Sequence, residues 1–83
     1  MSRKRSALSD SFASVLQRVR TKKKLSRQEL AQRAGLHQTY IGMIERGLSN
    51  PSLDAADEIA NGLGMPLSEL LAEAESLRMR DRD

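Results

Sequence analysis

The chain of 83 residues has no cysteine, no tryptophan, a single histidine and only two aromatic residues, Phe12 and Tyr40. Without cysteine there is neither a disulfide framework nor a thiolate metal site. A lone His37 cannot build a zinc centre either. With so few aromatics, the core has to be filled by Leu, Ile, Val, Ala and Met, as in a small helical bundle. This length holds one domain and one modest core. No apolar run approaches the length that spans a bilayer, and no signal-peptide pattern stands ahead of the domain; a soluble cytoplasmic protein is expected. The constellations of catalysis are also missing: there is no nucleophile–base pair, no paired carboxylates beside an acid and no phosphate loop. Neither an enzyme activity nor a cofactor, metal or small-molecule effector is expected.

What is present centres on Ser26 to Arg46, SRQELAQRAGLHQTYIGMIER. Ser26 followed three residues later by Glu29 is a capping box, in which each residue satisfies a free backbone N–H of the other. Leu30, Ala31 and Ala34 recur at helical spacing. Gly35 stands where a helix end wants a left-handed residue, and Leu36 plugs the corner. A second helical run begins at His37, with Tyr40, Ile41 and Ile44 as its buried stripe. That stripe turns Gln38, Thr39, Gly42, Met43 and Arg46 outward. None of these is acidic, and such a face can enter the DNA major groove and read base edges. The two runs form a helix-turn-helix in the DNA-binding sense.

Net charge is only +3, but it is segregated. Residues 1–48 carry 11 Lys and Arg against 3 acids, or +8, and residues 49–83 carry 3 Arg against 8 acids, or −5. The motif lies in the basic part, as expected of a protein that binds a polyanion.

In chain order, residues 1–8 hold Arg3, Lys4 and Arg5 without periodicity and read as a basic flexible arm, either a solvated tail or one that touches phosphates or a minor groove. Ser9 or Asp10 can cap a first helix, buried through Phe12, Val15, Leu16 and Val19. Lys22, Lys23 and Lys24 sit at its end, where cations suit the helix dipole. Gly47 ends the reading helix. Ser52 caps a fourth helix with a stripe of Leu53, Ala56, Ile59, Ala60 and Leu63, terminated by Gly62 and Gly64. Pro66 starts a fifth, with Leu67, Leu70, Leu71, Ala74 and Leu77 on one side. Residues 78–83, RMRDRD, read as a charged, frayed tail, which leaves 9–77 as the domain. The expected fold is all-α, a compact five-helix bundle.

The stretches LSRQELAQRAGL, TYIGMIERG and PSLDAADEIANGLGMPLSELL resemble the Xre family, the helix-turn-helix domain of phage repressors and Cro, over roughly Ser11 to Leu71. Small size, the TYIGMIERG run and the short last helix are especially similar to the controller proteins of restriction-modification systems. The resemblance implies a lambda-repressor-like DNA-binding domain with the motif in helices 2 and 3. It places phosphate-gripping residues at the start of the second helix, here Arg27 and Gln28; the family commonly has Gln there, and Arg is an equally good phosphate donor. Base contacts fall to Gln38, Thr39, Gly42, Met43 and Arg46, with Gln38 suited to a bidentate bond with adenine and Met43 to a thymine methyl. Gly42 costs about 1 kcal/mol relative to Ala in a helix, which close approach to DNA or tight helix packing would explain. Further phosphate contacts are expected from Ser49 and Asn50 in the following loop, and from Tyr40 and His37. The bland readings are a packing role for Tyr40 and a plain cap role for His37. Arg20 and Glu45 match a family pair bridging the first and third helices and read as structural.

One reading helix contacts too few bases for high affinity, whereas two set about 34 Å apart meet successive major grooves. The family binds DNA as symmetric dimers, and Leu67, Leu70, Leu71, Ala74 and Leu77 offer the expected dimer surface, since they exceed what a helix covering a small core requires. The expected function is a transcriptional regulator acting as a homodimer on a palindromic double-stranded DNA operator. Its repression would work by occluding RNA polymerase, or its activation by touching polymerase through Asp54, Asp57 and Glu58. The alternatives are an antitoxin that binds DNA and a toxin protein, and a helical protein-interaction adaptor without DNA binding.

Overall fold

The computed structural model describes residues 6–81, and among them it contains five helices and no strand. They are α1 (Ala7–Lys22), α2 (Arg27–Ala34), α3 (Gln38–Glu45), α4 (Leu53–Leu63) and α5 (Leu67–Asp81). α1 packs along α5, and α2 is pressed between α4 and α3. Val15 and Leu16 of α1, Leu30 of α2, Ile41 and Ile44 of α3, Ile59 of α4 and Leu70 of α5 meet in one fully buried core. No helix among the described residues is long and apolar enough to cross a membrane.

The chain punctuates its helices with one recurring device. At the end of α1 the Leu25 N–H reaches the Arg20 carbonyl at 3.1 Å and the Lys24 N–H reaches Thr21 at 2.9 Å. Lys24 is the left-handed residue between them, with φ +60°. This is a Schellman closure, which satisfies carbonyls that the helix leaves open. Similar closures follow α2, α3 and α4, where the left-handed residue is glycine.

Several boundaries and faces differ from the sequence-based expectation. Ser6, not Ser9 or Asp10, caps α1, its Oγ accepting from the Ser9 N–H at 3.0 Å. The helix therefore starts a turn earlier, Ala7 and Leu8 belong to it rather than to an arm, and Leu8 is held by packing against the core. Arg3, Lys4 and Arg5 lie outside the described residues. At the other end, positions 78–81 continue α5 instead of fraying. Arg78 is half-buried and stands 3.5 Å from Glu75, and cations in a last turn suit the helix dipole. Leu53 is not in the α4 stripe: as the first residue after the Ser52 cap it points away and is 73% exposed, while Ala55 and Ala56 face inward.

Gly62 does not end α4 either, because it lies within the helix where α4 crosses α2. A Cβ there would sit 2.9 Å from Leu30 Cδ1 and 3.2 Å from both the Cβ and the backbone nitrogen of Ala34. Neither neighbour can retreat, since Leu30 is fully buried and the Ala34 backbone is helical. Gly62→Val is accordingly expected to destabilise the fold by about 1–3 kcal/mol through overpacking. Urea unfolding checks this, and an unchanged midpoint would mean that the two helices separate freely.

The largest difference concerns α5. Leu70 and Ala74, expected at a dimer surface, are both 0% exposed within the single chain. α5 lies flat along α1, so positions four apart on its inner face go into the core. Leu67, Leu71 and Leu77 are half-buried and pack against that core. Of the expected set, Leu71 borders an apolar groove of about 240 Å³ between α1, α4 and α5, together with Leu8, Pro51 and Leu53 and with Phe12 at its floor.

Candidate nucleic-acid interface

The surface begins with the start of α2. The Ser26 N–H donates to Glu29 Oε1 at 2.8 Å and the Glu29 N–H donates to Ser26 Oγ at 3.0 Å, completing the capping box. The bond from the Ser26 backbone N–H, helped by its side chain, holds the Glu29 carboxyl below the usual carboxylate range. Nine residues after Ser26, Gly35, at φ +73°, closes α2, and the Leu36 N–H returns to the Ala31 carbonyl at 2.9 Å. The chain then turns directly into α3. His37 stands at its N-cap and is exposed, and its side chain makes no capping bond.

Ile41 and Ile44 are fully buried and Tyr40 is half-buried against the core. That fixes the roll of α3. His37, Gln38, Thr39 and Arg46 are exposed, and Met43 is partly so. Together with the cap Ser26 and with Arg27 and Gln28 from α2, the residues Gln38, Thr39 and Arg46 border a concavity of about 570 Å³ between the two helices. Ser49, half-buried, and Asn50, exposed, lie in the loop that follows α3.

Gly42 departs from the outward placement read in the sequence. It is buried beneath arginine side chains: a Cβ at this position would lie 3.7 Å from Arg27 Cδ and 3.9 Å from Arg46 Nη1. The residue cannot itself meet a base edge while those side chains cover it. It lines the concavity from beneath those side chains.

The only acid of α3, Glu45, is 1% exposed in its side chain and receives three hydrogen bonds from two arginines. Arg20 Nε donates to Oε2 at 2.7 Å and Arg20 Nη2 to Oε1 at 3.1 Å, while Arg27 Nε donates to Oε1 at 2.9 Å. Arg20 Nη1 also donates to the Leu25 carbonyl at 2.8 Å. One buried carboxylate thus ties α1, α2 and α3 together. It also leaves the concavity without exposed negative charge, because two guanidinium groups offset one carboxylate and Arg46 adds a third cation. The family resemblance pairs Arg20 with Glu45; it does not indicate that Arg27 joins them. The available signal was Gly42 itself, a poor helix former whose missing side chain needs an occupant.

The arrangement presents hydrogen-bond donors and acceptors of Gln28, Gln38 and Thr39 beside fixed positive charge, on a convex helix narrow enough for a major groove. Among the described residues no group of three or more His, Cys, Asp or Glu could hold a metal ion.

Known proteins resemble this chain throughout the region. The helix-turn-helix family model matches residues 16–70. The control protein C.BamHI of Bacillus amyloliquefaciens is 39% identical over 61 residues, covering 72% of this chain and 75% of that protein. The immunity repressor protein of Bacillus phage phi105 is 36% identical over 55 residues, and the chain spans 38% of its length. Among solved structures, the restriction-modification controller protein C.AhdI from Aeromonas hydrophila superposes with a TM-score of 0.73 at 37% identity, covering 78% of this chain and 98% of that one.

Proposed function

The chain belongs to the Xre-type helix-turn-helix family, and from that premise we propose that it is a transcriptional regulator binding a palindromic double-stranded DNA operator as a homodimer. The observation that carries this is the acid-free outward face of α3, with Gln38, Thr39 and Arg46 exposed and the one local carboxylate buried and neutralised. Its kinship with control proteins of restriction-modification systems favours a role in timing such a gene set. This reading is of a cytoplasmic protein without enzyme activity.

Within the proposal, Gln38, Thr39, Met43 and Arg46 meet base edges. Gln28, His37, Tyr40, Ser49 and Asn50 serve the phosphates, which position the protein without carrying sequence information. The groove bordered by Leu8, Pro51, Leu53 and Leu71 is the surface for a second copy. It replaces the α5 residues Leu70 and Ala74, which are committed to the core. It also opens beside the loop leading from α3, so a twofold axis there would set two α3 helices on one side of a duplex. Regulation then follows protein concentration through the monomer–dimer equilibrium.

Selection from a random duplex pool followed by gel shift tests the reading. Salt-sensitive binding to a two-half-site sequence is expected. On that sequence Gln38→Ala is expected to lose about 1–3 kcal/mol and to relax preference at one base position. A pool that yields no preferred sequence, together with binding insensitive to salt, would defeat the proposal.

A further inference from the structure

Arg27 is attached to α2, yet its side chain does not project from that helix as a free phosphate clamp. It folds back over α3. Its Cδ and Nε lie 3.7 and 4.0 Å from the place a Gly42 Cβ would occupy, and its Nε is bound to Glu45 at 2.9 Å. The side chain nevertheless remains 45% exposed. A guanidinium is planar, so with Nε engaged the two terminal nitrogens remain as a fork of donors. Among the described residues, Glu45 is the acceptor that holds this side chain.

We propose that Arg27 reads a guanine base in the operator, working as an added specificity residue of α3, and that Gly42 is the notch that allows it; this rests on the DNA-binding reading above. Three features support it. Arg27 lies over Gly42 and borders the same concavity as Gln38, Thr39 and Arg46, the residues this reading sets against base edges. A two-pronged arginine matches guanine O6 and N7, the commonest specific contact between protein and base. Arg46 Nη1 lies 3.9 Å from that same Gly42 Cβ position, so two cations converge where electronegative atoms of a duplex would be drawn. The size of the notch also has a consequence. At 3.7 Å an alanine methyl fits under Arg27 in ordinary contact, while a leucine at 42 would push the side chain off.

The test compares operator sequences selected from one random duplex pool by the wild-type protein, Arg27→Lys, Arg27→Gln, Gly42→Ala and Gly42→Leu, each checked for helical content by circular dichroism. Wild type is expected to demand guanine at one position per half-site. Arg27→Lys keeps the charge but not the fork, and Arg27→Gln keeps neither. Both are expected to lose that guanine preference by at least about tenfold while the other positions stay selected. Gly42→Ala retains the preference and Gly42→Leu loses it. Should Gly42→Leu fail to fold, the Arg27→Lys result decides alone. An unchanged selected sequence in both Arg27 variants, with binding weakened equally on every duplex, would overturn the inference and make Arg27 a phosphate contact. If wild type selects no sequence at all, it is the DNA-binding reading that fails, and this one falls with it.

Discussion

Replacing Glu45 by alanine is expected to lower stability by about 3–5 kcal/mol, the loss typical of breaking a buried ion pair from one side. The size follows from what remains. Arg20 stays almost wholly buried, with its charge uncompensated, and Arg27 loses the bond that holds it on α3. Small domains hold only about 5–15 kcal/mol in total, so the variant should show a sharply lower urea midpoint. The deficit belongs to the orphaned cation, not to the absence of a favourable pair. Changing Arg20→Met and Glu45→Leu together should therefore recover much of it, because apolar replacements of similar volume avoid burying an unpaired charge. A single-variant loss below about 1 kcal/mol, the range of exposed pairs, would show that water reaches the site.

The second large effect separates core from interface. Leu70→Ala is expected to cost about 2–5 kcal/mol, the range for emptying a fully buried leucine site, and Leu70→Asp is expected to unfold the chain. Leu53→Asp should behave in the opposite way. Leu53 is 73% exposed, and surface substitutions usually stay within about 0.5 kcal/mol. Its helical signal and dilute-solution unfolding should survive while sedimentation shows the dimer shifted to monomer. The measurement must be made at low concentration, since loss of a dimer by itself lowers apparent stability. A Leu53→Asp protein that remains dimeric would move the interface elsewhere, and a folded Leu70→Asp protein would contradict the packing of α5 on α1.

These two leucines also show where sequence reading works and where it stops. The capping box of Ser26 and Glu29, the turn at Gly35 and the inward pair Ile41 and Ile44 are local. Each depends on neighbours within about one helical turn, so spacing alone identifies them. The inner face of α5 is not local. Leu67, Leu70, Leu71, Ala74 and Leu77 all satisfy a helical stripe, and only the placement of α1 decides that Leu70 and Ala74 go inside. Leu53 failed for a related reason: it fits the α4 periodicity, but as the first residue after a cap it has no partner helix to cover it. Gly62 looked like a terminator because glycine often is one; here it serves the close approach of α2. In the site, the outward residues Gln38, Thr39 and Arg46 were legible for the same reason as the buried stripe, whereas Gly42, read as outward, is buried. The cover of Arg27 on Gly42 was not, since it joins positions 15 residues apart through a third residue, Glu45.

The brevity of α3 has a consequence for how the protein meets its target. Eight residues are too few to hold a helix in water unaided, so α3 persists only because Ile41, Ile44 and the shared carboxylate anchor it to its neighbours. Its order is tied to theirs. The groups aimed at the duplex consequently arrive already ordered, little disorder has to be given up at contact, and the speed of encounter is left to diffusion and the pull of opposite charge.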